Sequence, residues 1–99
     1  MSFEPREYLR HILAEADYLV AHSRGLTPER FHADETLRRA FVRSLEIIGE
    51  AAKKVPPELR SRHPSIEWRA MAGLRDYDLV WDVVTTKIPD LKHALERIV

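Results

Sequence analysis

With 99 residues, 44% of them hydrophobic, the chain is sized for a single domain, residues 1–99, near the lower limit at which an apolar core holds a fold unaided. Lys+Arg and Asp+Glu balance at 16 each, which argues against a uniformly basic nucleic-acid binder, and the absence of cysteine excludes disulfides and thiolate metal sites. No apolar run approaches the roughly 18 residues of a membrane span, and the charged start Met1-Ser-Phe-Glu-Pro-Arg-Glu7 does not resemble a signal peptide, so a cytoplasmic setting is expected.

Every strong pattern is helical. From Pro5 to Ser23 the apolar pairs Tyr8/Leu9, Ile12/Leu13 and Leu19/Val20, with Ala16, recur at helical period. Pro5 suits a first turn, and Gly25 suits a left-handed stop. Thr27-Pro28-Glu29-Arg30 reads as an N-cap followed by a proline at N1, opening one short turn through His32. Asp34 is expected to cap a second long helix, with Glu35 at its positive end. The stripe of that helix is Leu37, Ala40/Phe41, Leu45, Ile48, Ala51/Ala52 and Val55, and Pro56-Pro57 ends it. Gly49 lies inside this helix at a cost of about 1 kcal/mol against Ala, explained by close approach of another helix or by neutral accident. Glu58 to His63 suggests another short turn. A third long helix is expected from Ser65 or Ile66, with Trp68, Met71 and Ala72 inward. A last helix, about Asp78 to Lys87, should end near Ile88-Pro89. Asp90 then caps a terminal helix Leu91–Ile98, or the helix continues through a kink at Pro89. These elements make an all-α, up-and-down bundle of four to five helices.

Charge is uneven along the chain. Residues 34–75 carry nine Lys/Arg against six acids, a net +3, and the remainder is −3. A basic middle can attract phosphates, whereas interspersed charges on solvated helix faces give the same count. Within it, Arg38, Arg39, Arg43 and Arg69 are candidates for lining an RNA groove. The histidines show no ligand spacing, and there is no His-Glu-x-x-His, phosphate loop or nucleophile elbow, so neither a metal nor a cofactor is expected. Trp68 and Trp81 read as core anchors.

The most informative stretch is Trp68-Arg-Ala-Met-Ala-Gly-Leu-Arg-Asp-Tyr-Asp-Leu-Val-Trp-Asp-Val-Val84. Its left half, to Arg75, resembles the lead into the catalytic motif of HepT-like ribonucleases of the HEPN superfamily. Its right half, from Tyr77, resembles the opening of their last helix. The first helix block Pro5 to Leu13, the block Leu37 to Lys54, and Ile88-Pro-Asp-Leu-Lys92 follow in the family's order. In that family the motif is Arg-x4-His-x-Tyr, and roughly ten residues separate the two halves. Here Arg75 is followed by Asp-Tyr-Asp-Leu-Val-Trp, with no histidine before His93. A natural deletion, an engineered one, or a segment of the molecule absent from this sequence would each leave that gap.

The resemblance implies a metal-independent endoribonuclease. It is the toxin of a pair whose minimal nucleotidyltransferase antitoxin transfers AMP to the motif tyrosine, and it works as a homodimer with its site at the two-fold interface. Arg75 would hold the scissile phosphate, since a guanidinium matches phosphate bidentately and keeps its charge. Asp76 occupies the polar position after it, or belongs to the following helix. The histidine that moves protons has no counterpart, so the chain is expected to be inactive or nearly so. Arg6-Glu-Tyr-Leu-Arg-His11 repeats the bare Arg-x4-His spacing but lacks the tyrosine. The competing reading is a non-catalytic protein that keeps the bundle to dimerise and bind the nucleotidyltransferase. Joining the halves leaves Ala70, Leu74, Tyr77, Trp81, Val84 and Ile88 at a repeat of about 3.5 residues, compatible with one fused helix.

Overall fold

The computed structural model describes residues 4–64, 66 and 77–99. Helix α1 runs Pro5–Ser23 and stops where Gly25 adopts φ 70°, a left-handed conformation that glycine takes without a Cβ penalty. Helix α2, Pro28–Ala33, starts with Thr27 as its N-cap, the Thr27 hydroxyl accepting from Arg30 N–H. Asp34 then serves two helices. Its backbone N–H closes α2 on the Arg30 and Phe31 carbonyls, and its carboxylate accepts from Leu37 N–H at 3.0 Å to open α3, Glu35–Lys54. Asp34→Ala keeps the first role and loses the second. It is expected to cost about 1 kcal/mol, a fall in Tm of about 4–8 °C, which thermal unfolding by circular dichroism would check against Asp34→Asn.

Packing follows the apolar stripes. Helix α1 buries Leu9, Ile12, Ala16 and Leu19 against α3 and α6, and α3 buries Phe41, Leu45, Ile48, Ala51 and Ala52. Gly49 is buried on α3 as well. Ser44, the polar residue in this core, donates its hydroxyl to Glu15 Oε1 of α1 at 2.7 Å, so its burial leaves no orphan group. Leu37 and Ala40, expected inward, are half-buried. Helix α4 is the short turn Pro57–Arg62. Ile66 is buried, while the inward positions expected for Trp68, Met71 and Ala72 lie outside the described residues.

The C-terminal part settles the alternative at Pro89 in favour of continuation. Helix α5 (Tyr77–Asp82) passes through a π-helical turn (Val83–Lys87) directly into α6 (Ile88–Ile98). The expected end near Ile88 does not occur, because Lys87 and Ile88 both keep helical dihedrals. Pro89 lacks an N–H and its ring would crowd the carbonyl four residues back. The widened turn relieves this: Ile88 N–H donates to Val83 C=O, five residues back, and the Thr85 and Thr86 hydroxyls donate to the Trp81 and Asp82 carbonyls. The bundle is all-α, and among the described residues there is no strand. None of the described helices is long and apolar enough to cross a membrane.

Lys92 ties α6 to α1 through Asp17 and to its own helix through Glu96, each at 3.0 Å. Hydrogen bonds first to Asp17 and then to Glu96 hold its ammonium above the ordinary lysine value. The stabilisation from this tie is therefore full below that ordinary value and is lost as pH rises through the raised one.

Candidate functional site

Arg75 and Asp76, the motif residues, and Arg69, one of the RNA-groove candidates, lie outside the described residues, as does the junction between the two motif halves. The described structure begins again at Tyr77, the first residue of α5, and shows how that flank is held. The Arg38 guanidinium of α3 lies over the Tyr77 ring, 5.1 Å from its centroid, and also donates to the His32 carbonyl of α2. Its Nε is buried without a hydrogen-bond partner. Beside it His32 Nε2 sits 2.9 Å from Asp78 Oδ1. Residues from α2 and α3 thus hold the first turn of α5.

Behind this clamp lies an aromatic cluster. Phe31 is fully buried, its ring 5.2 Å from Phe41 and 5.3 Å from Trp81. Trp81 is therefore a packing residue, as the sequence reading has it, and half-buried. The clamp itself was not legible in sequence, since His32 and Arg38 are far in the chain from Tyr77 and Asp78 and share no spacing signal with them.

Arg39 and Arg43 fall one turn apart on an exposed face of α3. Each has a carboxylate beside it: Arg39 meets Glu35 at 2.8 Å, and Arg43 comes within 3.8 Å of Glu50. This face is a run of exposed ion pairs, close to neutral locally, of the kind worth about 0–1 kcal/mol each. Among the described residues no group of three or more His, Asp or Glu is placed to hold a metal ion.

An all-α bundle is what the HEPN resemblance implies, and comparison with known proteins gives the same family. The model of the HepT-like ribonuclease family matches residues 9–98. A protein named as an RNase in Caldanaerobacter subterraneus subsp. tengcongensis is 41% identical, over 95% of this chain and 93% of the relative. A protein named as a ribonuclease HepT in Thermococcus cleftensis is 33% identical over 94% of each, and one named as an RNase in Methanocaldococcus jannaschii is 32% identical over 95% of this chain and 86% of the relative. The chain belongs to the HepT-like ribonuclease family. No solved structure matches it significantly.

The Caldanaerobacter alignment spans 104 positions but draws on 95% of this 99-residue chain, so about ten of its positions have no residue here. The Thermococcus alignment, 103 positions on 94% of the chain, leaves about the same number. That shortfall equals in size the gap read between Arg75 and Tyr77.

Proposed function

We propose that this chain is a HepT-like protein of ribonuclease type that keeps the phosphate-holding half of the motif and lacks the proton-transferring half. In this reading it is a cytoplasmic homodimer, the toxin-derived half of a pair with a minimal nucleotidyltransferase antitoxin. Arg75 grips the scissile phosphate and Asp76 orients neighbouring groups. The observation that carries the reading is the absence of any histidine between Arg75 and His93 in a chain whose relatives are named as RNases. RNA cleavage through the 2′-hydroxyl needs a proton removed and one returned, and a guanidinium does neither at neutral pH.

The test is cleavage of single-stranded RNA by the purified protein without added metal. Turnover within about tenfold of the no-protein background is expected, since loss of the acid/base group alone forfeits about 10²–10⁴ in rate. Robust turnover abolished by Arg75→Ala would refute the inactive reading. The second reading, a non-catalytic interaction protein, draws on the preserved helical stripes of α1, α3 and α6. It predicts co-purification with the nucleotidyltransferase that Arg75→Ala leaves unchanged.

A further inference from the structure

The sequence offers Arg38, Arg39, Arg43 and Arg69 as RNA-facing guanidiniums, and the structure leaves Arg39 and Arg43 beside carboxylates. A different basic surface forms at the end of the bundle where the start of α1, the end of α4 and the end of α6 meet. There a cavity of about 460 Å³ is rimmed by Arg6, Arg62, His63 and Arg97. That volume lies within the range of about 300–1,000 Å³ typical of ligand pockets. Among the described residues no carboxylate side chain lines it. Arg62 is tied to Glu58 at 3.3 Å, whereas Arg6 and Arg97 make no ion pair among the described residues and are exposed. The floor is apolar, formed by the half-buried Leu59, Ala94 and Ile98 over the buried Leu9 and Ile66.

Guanidiniums at a rim over an apolar floor fit a ligand that is anionic at one end and flat and apolar at the other. Phosphate oxygens would pair with the planar forks of Arg6 and Arg97, and the attached base would lie against the floor. An acidic peptide would satisfy the rim and leave the floor uncovered. We infer that this cavity is a phosphate-holding RNA subsite, separate in sequence from Arg75, in which Arg6 and Arg97 grip a non-scissile phosphate. The inference rests on the ribonuclease-type reading and adds to it the surface that holds RNA beyond the cleaved bond. It needs no proton transfer, so it operates whether or not the chain turns over.

The experiment is fluorescence anisotropy with a 2′-O-methylated single-stranded oligonucleotide, which binds but cannot be cleaved, titrated at several salt concentrations. Each phosphate released from a basic contact lowers the slope of log K against log salt by about 0.7 for single strands. The double variant Arg6→Ala/Arg97→Ala should therefore bind at least about tenfold more weakly at low salt, with a slope shallower by about 1.4. Arg6→Lys/Arg97→Lys should keep the slope and lose part of the affinity, because charge remains and the bidentate fork does not. Matched oligonucleotides with and without a terminal phosphate distinguish a chain end from an internal phosphate as the group held. A double variant that binds like the parent overturns the subsite and leaves the ribonuclease reading standing. A parent with no salt-dependent affinity for RNA overturns both. A larger loss from Arg39→Ala/Arg43→Ala would return the contact to α3, and equal affinity for polyglutamate would assign the cavity to acidic protein; each overturns the subsite.

Discussion

A bridge of ten residues inserted between Asp76 and Tyr77, placing a histidine five positions and a tyrosine seven positions after Arg75, is expected to raise metal-free RNA cleavage by about 10²–10⁴-fold over the unmodified chain. The insertion supplies an imidazole whose unperturbed pKa lies near neutrality, the group that takes the 2′-hydroxyl proton or returns one to the leaving oxygen. Activity gained in this way should fall back when Arg75→Ala is combined with the insertion, because phosphate binding and proton transfer act on one bond and their losses do not add independently. Tyr77, Asp78 and Leu79 at the start of α5 are all exposed, so lengthening the chain ahead of them need not displace a buried side chain of α5. Cleavage gel assays on the parent, the insertion and the insertion with Arg75→Ala decide the matter. An inserted protein that folds cooperatively yet cleaves no faster than its parent would show that the missing histidine is not what limits the chain.

The parts of this molecule that sequence states clearly are those written in local chemistry. Pro5 and Gly25 bound α1, Asp34 opens α3 and Pro56-Pro57 closes it, because caps and prolines act within a turn of where they stand. The pairing of Arg39 with Glu35 was also open to reading, since a Glu four residues before an Arg is a neighbour on any helix. Arg43 and Glu50 follow no such rule. At Pro89 local rules permit two outcomes, and the choice rests on a tertiary fact: Val84, Ile88, Leu91 and Leu95 all bury in one core, so continuing through a π-turn keeps a stripe that a break would scatter. The basic cavity was hidden for a similar reason. Arg6, Arg62 and Arg97 come from the start, middle and end of the chain, and only the packing of α1, α4 and α6 gives them a common wall. Arg75 stood out in the sequence through resemblance alone, on a segment whose motif partner is missing.

Replacing Phe31 with alanine is expected to destabilise the fold by about 3–5 kcal/mol, a large part of the roughly 5–15 kcal/mol that holds a domain together. Helix α2 has six residues, far below the length at which a helix persists in water, so its place depends on what it packs against. Phe31 is its buried residue, with no exposed surface, and its ring meets Phe41 of α3 and Trp81 of α5 at tilted interplanar angles of 38°. Removing it empties the join between three helices. It also frees the helix that carries His32, so the contacts to Asp78 and Arg38 that fix the start of α5 should loosen together. In urea, with a slope of about 1–2 kcal/mol/M for a chain this small, the midpoint should fall by about 1.5–5 M, while Phe31→Leu, which fills most of the space, should lose much less. The comparison has to be made at one protein concentration, since dimerisation would add to stability by mass action. A midpoint shift below about 0.5 M would mean that α2 rests on the bundle without sharing its cooperative core. The clamp at the start of α5 would then be a local contact that opens independently of global unfolding.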